Sequence, residues 1–219
     1  MKQYCISIIG AGKIGSRHLQ ALCHLKNLTR IDLVDPSDKS LHIAQDLYQE
    51  SIKPSKQSTE LHCHNNMDHL PEKLDLVIIA TNSVVRETII RNVVKKRSVR
   101  NLILEKILFQ RKAQYIEIES FLKTFLIPTW VNCWMRTTDL FKKVKLALNL
   151  TNPIHIKVEG SQWRMGSSSI HFMDLFAYFT ECNDIKFTDI QLSSKLIDSK
   201  HKGFKEFLGQ MMGQNSRGD

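Results

Sequence analysis

Three glycines near the start of the chain have the spacing of a phosphate-binding turn. Gly10, Gly12 and Gly15 form the pattern Gly-x-Gly-x-x-Gly directly after the apolar run at residues 4–9. In such a turn the first glycine permits a tight bend, the second lets the backbone approach a pyrophosphate, and the third lets the next helix pack closely. The pattern therefore predicts that a pyrophosphate binds at the N-terminus of the first helix, where free amide groups point outward.

An acidic residue completes this motif at the end of the second predicted strand. Asp35 lies 20 residues after Gly15. A carboxylate at this place accepts hydrogen bonds from a ribose 2′-hydroxyl and repels a 2′-phosphate. The motif thus predicts NAD as the cofactor, while the nearby Lys39 leaves NADP as an alternative. A glycine turn with an unrelated aspartate is the simpler interpretation, but the strand–turn–helix context argues against it.

Segments that fit strands alternate with segments that fit amphipathic helices along the first 136 residues. Nearly continuous apolar runs are typical of strands covered on both faces, and apolar residues at helical spacing follow each run. This alternation predicts an α/β fold with right-handed βαβ units, which form a doubly wound parallel sheet of the Rossmann type. The predicted strands are residues 4–9, 30–34, 74–80, 101–104 and 127–133, with a short one near Leu61.

The pattern changes after residue 136. Residues 154–160 alternate apolar and polar side chains, as in a strand with one solvated face, and residues 185–192 read as another strand. A helix is expected at residues 170–179 between them. We therefore predict a dinucleotide-binding Rossmann domain at 1–136, followed at 137–219 by a partial α+β domain with an antiparallel sheet.

The chain is basic, with a formal net charge of +9. Its densest clusters, Lys95–Arg97 and Arg111–Lys112, lie at predicted helix ends, where we expect cations to complement the helix dipole. We interpret the excess as a solvated basic surface and expect no nucleic-acid partner. Nucleic-acid binding is the weaker alternative that such a charge leaves open.

The cysteines and histidines do not have the spacing of a metal site. The five cysteines form no Cys-x-x-Cys pair, and His62–His64 lies in a polar connector without the paired spacing of zinc ligands. We expect reduced thiols and no metal. The sequence also has no apolar run of ~18 residues and no signal-peptide pattern. These features predict a cytoplasmic protein with no membrane partner.

Several further motifs occur in order along the chain, and together they carry a resemblance to a known family. The chain resembles the Gfo/Idh/MocA family, the oxidoreductases typified by glucose–fructose oxidoreductase and inositol dehydrogenase. The motifs are GAGKIGSRH at 10–18, Asp35-Pro36, VIIATN at 77–82, LEK at 104–106, VNCWMR at 131–136 and IHFMDL at 170–175.

The resemblance implies hydride transfer between NAD(P) and a hydroxyl of a sugar, nucleotide-sugar or polyol. It implies that Lys106 and His171 are the catalytic residues, with Asp174 on the same helix face orienting His171. An amine or imidazole of suitable pKa can remove the hydroxyl proton as hydride leaves the carbon. To Gly10, Gly12, Gly15 and Asp35 the resemblance adds further cofactor-binding residues: Lys13, Ile14, Thr81, Asn82, Glu105 and Lys106.

The chain departs from the family pattern at three places. Ile107 replaces the proline expected after Lys106, Ser167 stands where an aspartate is common, and Arg86 stands where many members carry histidine. These departures fit a divergent branch that acts on sugars, including one in surface-polysaccharide biosynthesis. They also fit the alternative, a non-catalytic or degenerate dinucleotide-binding protein.

Family members are usually longer than this chain. We therefore expect a C-terminally truncated product or a fragment, in which residues 137–219 are an incomplete substrate or oligomerisation domain. The full-length family form is expected to be a homo-oligomer.

Overall fold

The computed structural model describes residues 4–52, 59–148, 152–161, 164–200 and 203–219. The chain divides into two compact units, residues 1–132 and residues 133–219. The first unit alternates strands and helices in the way that the sequence predicts. Its elements are β1 (Tyr4–Ile9), α1 (Lys13–Leu22), β2 (Leu28–Val34), α2 (Asp38–Ile52), β3 (Glu60–His64), β4 (Lys73–Leu74), β5 (Leu76–Ile79), α3 (Arg86–Lys96), β6 (Ser98–Val99), β7 (Leu102–Leu104), α4 (Lys112–Thr124) and β8 (Thr129–Val131).

Six strands of the first unit form one parallel sheet in the order β3-β2-β1-β5-β7-β8. The order reverses between β1 and β5, which is the topological switch point of a Rossmann sheet. Because all six strands are parallel, the loops that follow them emerge at the same edge. The predicted doubly wound sheet is confirmed, and the short strand expected near Leu61 is β3.

Each face of this sheet is covered by its own hydrophobic layer. Ile8, Ile31 and Leu33 belong to one cluster, which α1 and α2 complete with Leu19 and Tyr48. The other cluster packs α3 and α4 against the opposite face, with Val77, Ile79, Leu102, Ile90 and Ile118 among its members. Since the strands are covered on both faces, their sequences are almost continuously apolar.

The second unit combines helices with small antiparallel sheets, so the predicted α+β region is also confirmed. Its strands are exposed on both faces over most of their length. A small core of Ile154, Leu175 and Phe179 lies elsewhere in the unit. The elements are a 3₁₀ turn (Trp134–Thr137), α5 (Asp139–Ala147), α6 (Met165–Thr180), β9 (Lys186–Leu192), β10 (Ile197–Asp198), β11 (Lys205–Glu206) and β12 (Gly209–Gln214), with β9 paired to β12 and β10 to β11.

The strand predicted at residues 154–160 is wrong. This segment forms no strand, and within it only Ile154 is buried. The amide of Ile154 donates to the Asp219 carboxylate, at 2.8 Å, instead of to a neighbouring strand. Alternation predicts which side chains would share a face, but a strand also requires a partner for its backbone.

The basic clusters have different surroundings. Lys95 and Lys96 lie in the last turn of α3, as expected for cations that complement the helix dipole, and Arg97 donates to the carbonyls of Met67, Asp68 and Leu70. The same explanation is wrong for Arg111–Lys112, because α4 begins at Lys112 and the cations lie at the positive end of its dipole. No helix in the described ranges has the length and apolar character to cross a membrane.

Candidate functional site

The glycine loop between β1 and α1 can be formed only with glycine at two of its three positions. Gly10 has a φ of +104°, and a Cβ there would lie 2.9 Å from the backbone carbon of Ala80. A Cβ on Gly15 would lie 1.7 Å from the Gly10 carbonyl oxygen. These contacts bring the start of α1 against the end of β1, as the sequence motif predicts.

Gly12 has a different environment, since a Cβ there would meet no atom of the described residues within 4 Å. It is the N-cap of α1, and no side chain caps the helix at this position. The first turn contains no acidic residue, so its unpaired amides and the helix dipole are available to an anion. Lys13 and Ile14 are exposed beside this open space. The loop therefore fits a pyrophosphate group.

Asp35 lies directly against the glycine loop. Its Oδ2 accepts the Ala11 amide at 2.8 Å, and its Oδ1 accepts the Ser37 amide at 2.9 Å. Each carboxylate oxygen can accept more than one hydrogen bond, so the group can also bind a hydroxyl. This geometry fits the ribose contact that the sequence predicts, because Asp35 and the glycine loop meet at the same edge.

Two of the predicted cofactor residues follow β5 at the switch point. The Oγ1 of Thr81 is buried and has no hydrogen-bond partner within the described parts of the chain. Buried polar atoms usually have partners, so this hydroxyl is a candidate contact for a ligand. Asn82 is exposed, and its Oδ1 accepts the Val84 amide at 3.0 Å in the turn that leads to α3.

Glu105, at the end of β7, is held by two residues that sequence reasoning did not assign to the site. His18 Nε2 donates to Glu105 Oε1 at 2.7 Å, and Asn132 Nδ2 donates to the same oxygen at 2.6 Å. Burial by itself raises the pKa of Glu105, but these two hydrogen bonds, with the charge of Arg86, outweigh it and lower the pKa below 4.5. Glu105 is therefore a buried, ionised carboxylate at neutral pH.

Lys106 follows Glu105 and is half-buried in the loop after β7. The peptide bond between Lys106 and Ile107 is cis. Arg86, on α3, donates to the carbonyls of Ile107 and Leu108 in this loop and to the carbonyl of Thr81 in the loop after β5. The family motifs contained His18 and Asn132, but only the structure brings them to Glu105.

The other two predicted catalytic residues lie on α6 in the second unit. His171 is buried, with 8% of its surface exposed, and its ring makes an edge contact with Trp134 at 6.1 Å between centroids. Asp174 forms a bidentate ion pair with Arg136, with distances of 2.6 and 2.7 Å. The contact shown for the Asp174 carboxylate is thus with an arginine of its own unit. Its predicted role in orienting His171 stays a prediction.

One of the two histidines of β3, His64, contacts a buried carboxylate, whereas His62 pairs with the exposed Glu60. His64 Nε2 donates to Asp32 Oδ1 at 2.7 Å, and Arg30 donates to both Asp32 oxygens at 2.8 Å. Burial would raise the pKa of Asp32, but the hydrogen bonds from Arg30 and His64 outweigh it and lower the pKa. Within the described ranges no three His, Cys, Asp or Glu side chains are close enough together to hold a metal ion.

In the first unit, the loops at the carboxyl edge of the parallel sheet bring most of the predicted residues together. The glycine loop, Asp35, Thr81, Glu105 and Lys106 follow β1, β2, β5 and β7 respectively. This sheet, its switch point and its glycine loop define a dinucleotide-binding Rossmann unit. His171 and Asp174 belong to the other unit, so their action together with Lys106 stays a prediction.

Comparison with protein families identifies the class more closely. Residues 5–119 match the Gfo/Idh/MocA model, which is described as an oxidoreductase family with an NAD-binding Rossmann fold. The match covers more than half of the chain, and the chain belongs to this family. The resemblance expected from the sequence motifs and the NAD-binding class are thereby confirmed. No curated protein matches the chain.

Solved structures share the fold at low sequence identity. One is scyllo-inositol dehydrogenase from Lactobacillus casei with NAD(H) and scyllo-inositol bound (TM-score 0.66, 13% identity, 92% of this chain and 62% of that one). Another is UDP-N-acetylglucosamine 3-dehydrogenase from Acidithiobacillus ferrooxidans (TM-score 0.69, 13% identity, 100% of this chain and 67% of that one). A third is an oxidoreductase from Agrobacterium radiobacter in complex with NAD⁺, L-tartaric acid and magnesium (TM-score 0.72, 16% identity, 99% of this chain and 64% of that one). The chain spans 58% of the length of another scyllo-inositol dehydrogenase structure from L. casei, without cofactor.

Proposed function

We propose that this protein is an NAD-dependent oxidoreductase that acts on a hydroxyl group of a sugar, a nucleotide-sugar or a polyol. The observation that carries the proposal is the open space at Gly12 beside Asp35, on the carboxyl edge of a sheet from an NAD-binding oxidoreductase family. Two of the similar structures are named as dehydrogenases of an inositol and of a nucleotide-sugar, which supports this substrate class.

The residues of the first unit have separable tasks in this proposal. The amides at the start of α1 bind the pyrophosphate, and Asp35 accepts hydrogen bonds from the adenosine ribose. NAD⁺ held by these residues would supply the acceptor for the hydride that leaves the carbinol carbon of the substrate. Glu105 remains ionised next to Lys106, because His18 and Asn132 bind its carboxylate.

Proton transfer is assigned to Lys106 and His171. An alcohol becomes a carbonyl only if its hydroxyl proton leaves as the hydride leaves the carbon, and an amine or imidazole can take that proton. His171 is mostly shielded from water on α6, which suits a group that exchanges protons with a substrate. Asp174, which pairs with Arg136, is proposed to orient His171 from the same helix.

Turnover with a panel of sugars, nucleotide-sugars and polyols tests the proposal. Lys106→Ala and His171→Ala should each lower turnover by about 10²–10⁴-fold, the usual contribution of a positioned acid or base, with little change in NADH affinity. Lys112→Ala and His155→Ala are matched controls at exposed positions and should retain activity. If the parent turns over a substrate and both site variants equal it, the catalytic assignment is wrong. We expect weak or no activity from the 219-residue chain itself, so the panel is also tested with a version extended to the length of the family form; if that version binds NADH and oxidises nothing in the panel, the non-catalytic alternative is supported.

A surface-polysaccharide pathway is the biological setting that we propose for a nucleotide-sugar substrate. The similarity to a structure named as UDP-N-acetylglucosamine 3-dehydrogenase supports the nucleotide-sugar substrate on which this setting depends. Including nucleotide-sugars in the panel tests that substrate, because a free polyol as the preferred substrate would contradict it.

A further inference from the structure

Arg86 is a buried cation in an unexpected place. It begins α3, yet only 2% of its surface is exposed, and it is among the largest fully buried side chains of the chain. Arginine is rarely buried to this extent unless it is paired. Within the described residues no carboxylate oxygen lies within 4 Å of it, so an ion pair does not explain its burial.

The guanidinium instead binds three backbone carbonyl groups. One terminal nitrogen donates to the carbonyl of Ile107 and, at 3.0 Å, to that of Leu108, while the other donates to the carbonyl of Thr81. The first two belong to the loop after β7 and the third to the loop after β5. The planar fork of arginine presents its donors in a fixed geometry, so it holds both loops at once.

The loop after β7 depends on such a donor because its backbone has left the sheet. β7 ends at Leu104, and the carbonyls of Ile107 and Leu108 are part of a half-buried turn. A buried carbonyl without a donor is costly. A second link, from the Gln110 side chain to the Ser83 hydroxyl, joins the same two loops.

The charge of Arg86 persists despite its burial. Desolvation lowers the pKa of Arg86 to about 10, and the nearby Glu105 carboxylate opposes this shift. Arg86 is therefore protonated at neutral pH. A histidine at this place would have only two ring nitrogens and could not bind three carbonyls.

We propose that Arg86 is a positioning residue for Lys106, because it fixes the loop that carries Lys106 to the loop that carries Thr81. The effect on catalysis rests on the proposed function. The effect on the loop rests on the three carbonyl contacts of Arg86. Arg86 does not touch the reacting groups in this scheme. It sets where the Lys106 backbone lies, and an error of about 1 Å in such a position can cost about 10²-fold in rate.

Three variants of the full chain test this role. Arg86→Met removes all the side-chain donors and keeps a long, unbranched side chain. Arg86→Lys keeps the positive charge and one donor group, and Arg91→Met is the matched control. Arg91 lies on the same helix but is partly exposed and pairs with Glu87 and Glu117. Amide hydrogen exchange, NADH affinity by fluorescence and, where a substrate is found, kcat and KM are measured well below the melting temperature of each variant.

In Arg86→Met we expect amides of residues 105–110 to exchange about tenfold faster, which corresponds to the loss of about one net hydrogen bond. Amides of β1 should be unchanged, and the NADH dissociation constant should remain within about threefold, because the glycine loop and Asp35 carry most of the cofactor binding. The kcat should fall at least about tenfold with little change in KM. Arg86→Lys should lie between Arg86→Met and the parent, and Arg91→Met should match the parent.

Unchanged exchange at residues 105–110 in Arg86→Met would overturn the proposal. Faster exchange throughout the first unit would also overturn it, since that result indicates a general role in folding. If Arg86→Met does not fold, Arg86→Lys decides, and exchange at 105–110 equal to the parent overturns the proposal. A parent protein that binds no NADH would instead refute the proposed function, while local exchange still reports whether Arg86 holds the loop.

Discussion

Substitution of Gly12 separates cofactor binding from folding. Its backbone has φ −66° and ψ −176°, an extended conformation that any residue adopts, and a Cβ would meet no atom within 4 Å in the part of the chain that the structure describes. Gly12→Val should therefore fold with a free energy of unfolding within about 1 kcal/mol of the parent, because the lost backbone freedom of the unfolded chain and the poorer N-cap oppose each other. The valine side chain would, however, fill the space that the pyrophosphate needs.

The loss of affinity follows from the contacts that are displaced. Two charge-assisted hydrogen bonds from helix amides to a phosphate contribute about 1.5–3 kcal/mol each, so their removal should raise the NADH dissociation constant by at least about 100-fold. At an NADH concentration of about 100 times the parent Kd, binding stabilises the parent by about 2.7 kcal/mol. The variant would be stabilised by only about 0.4 kcal/mol at the same concentration.

Thermal unfolding with and without NADH measures both quantities. For a chain of this size, about 1 kcal/mol corresponds to roughly 2–4 °C, so the parent should gain about 5–11 °C and Gly12→Val about 1 °C. Gly15→Ala is the contrasting variant. Its Cβ would lie 1.7 Å from the Gly10 carbonyl oxygen, so it should unfold at a much lower temperature even without ligand.

Two results would contradict this reasoning about Gly12. If NADH raises the melting temperature of Gly12→Val as much as that of the parent, the cofactor does not lie against Gly12. If Gly12→Val melts far below the parent without ligand, the inference that a side chain at position 12 would face open space is wrong. The first result would remove the glycine loop from the proposed function, whereas the second would remove only the premise that a side chain fits at Gly12.

Two further predictions concern carboxylates. Asp35 should make NADP bind at least about tenfold more weakly than NAD, a difference of ~1.4 kcal/mol, and Asp35→Ser should narrow that gap in fluorescence titrations; equal affinities in the parent would contradict the assignment. Asp32→Asn should destabilise the fold by about 3 kcal/mol at neutral pH, because Arg30 and His64 lose a buried charged partner. The folded-state pKa of Asp32 is lowered from 3.8, so its stabilising charge is fully present above that pH and is lost as the pH falls through the lower folded value. Urea unfolding at several pH values should show the gap between parent and variant narrowing in that acidic range, and a constant gap would refute the reasoning.

Much of the first unit was predictable because its signals are local. The glycine spacing encodes backbone conformations that only glycine adopts, as Gly10 shows with its positive φ. The continuous apolar runs encode burial on both faces, which is how parallel strands in a doubly wound sheet are covered. Asp35 follows from its place at the end of β2, a position fixed by the length of the intervening helix and turn.

The remaining site residues depend on contacts between distant parts of the chain. His18 and Asn132 reach Glu105 across 87 and 27 positions, and no local pattern indicates such a contact. β12 was not predicted either, since its residues, rich in glycine, methionine and glutamine, have low strand propensity, and the strand exists through its pairing with β9. Conversely, residues 154–160 have the alternation of a strand, but no strand among the described residues pairs with them. In both cases, backbone pairing with another strand determines whether the segment forms a strand.

The order of the loops along the sheet edge provides a separate argument for a dinucleotide. Successive strands β2, β1, β5 and β7 end in a carboxylate, an uncapped helix N-terminus, a buried hydroxyl, and a carboxylate followed by a lysine. With ~4.8 Å between strands, this series extends over about 14 Å. NAD presents ribose hydroxyls, an anionic pyrophosphate and a reactive ring in the same sequence. A single phosphate would contact only the helix N-terminus and would leave the Thr81 hydroxyl and the remaining acceptor sites of Asp35 without a ligand, so the edge as a whole matches a dinucleotide better than a smaller anion.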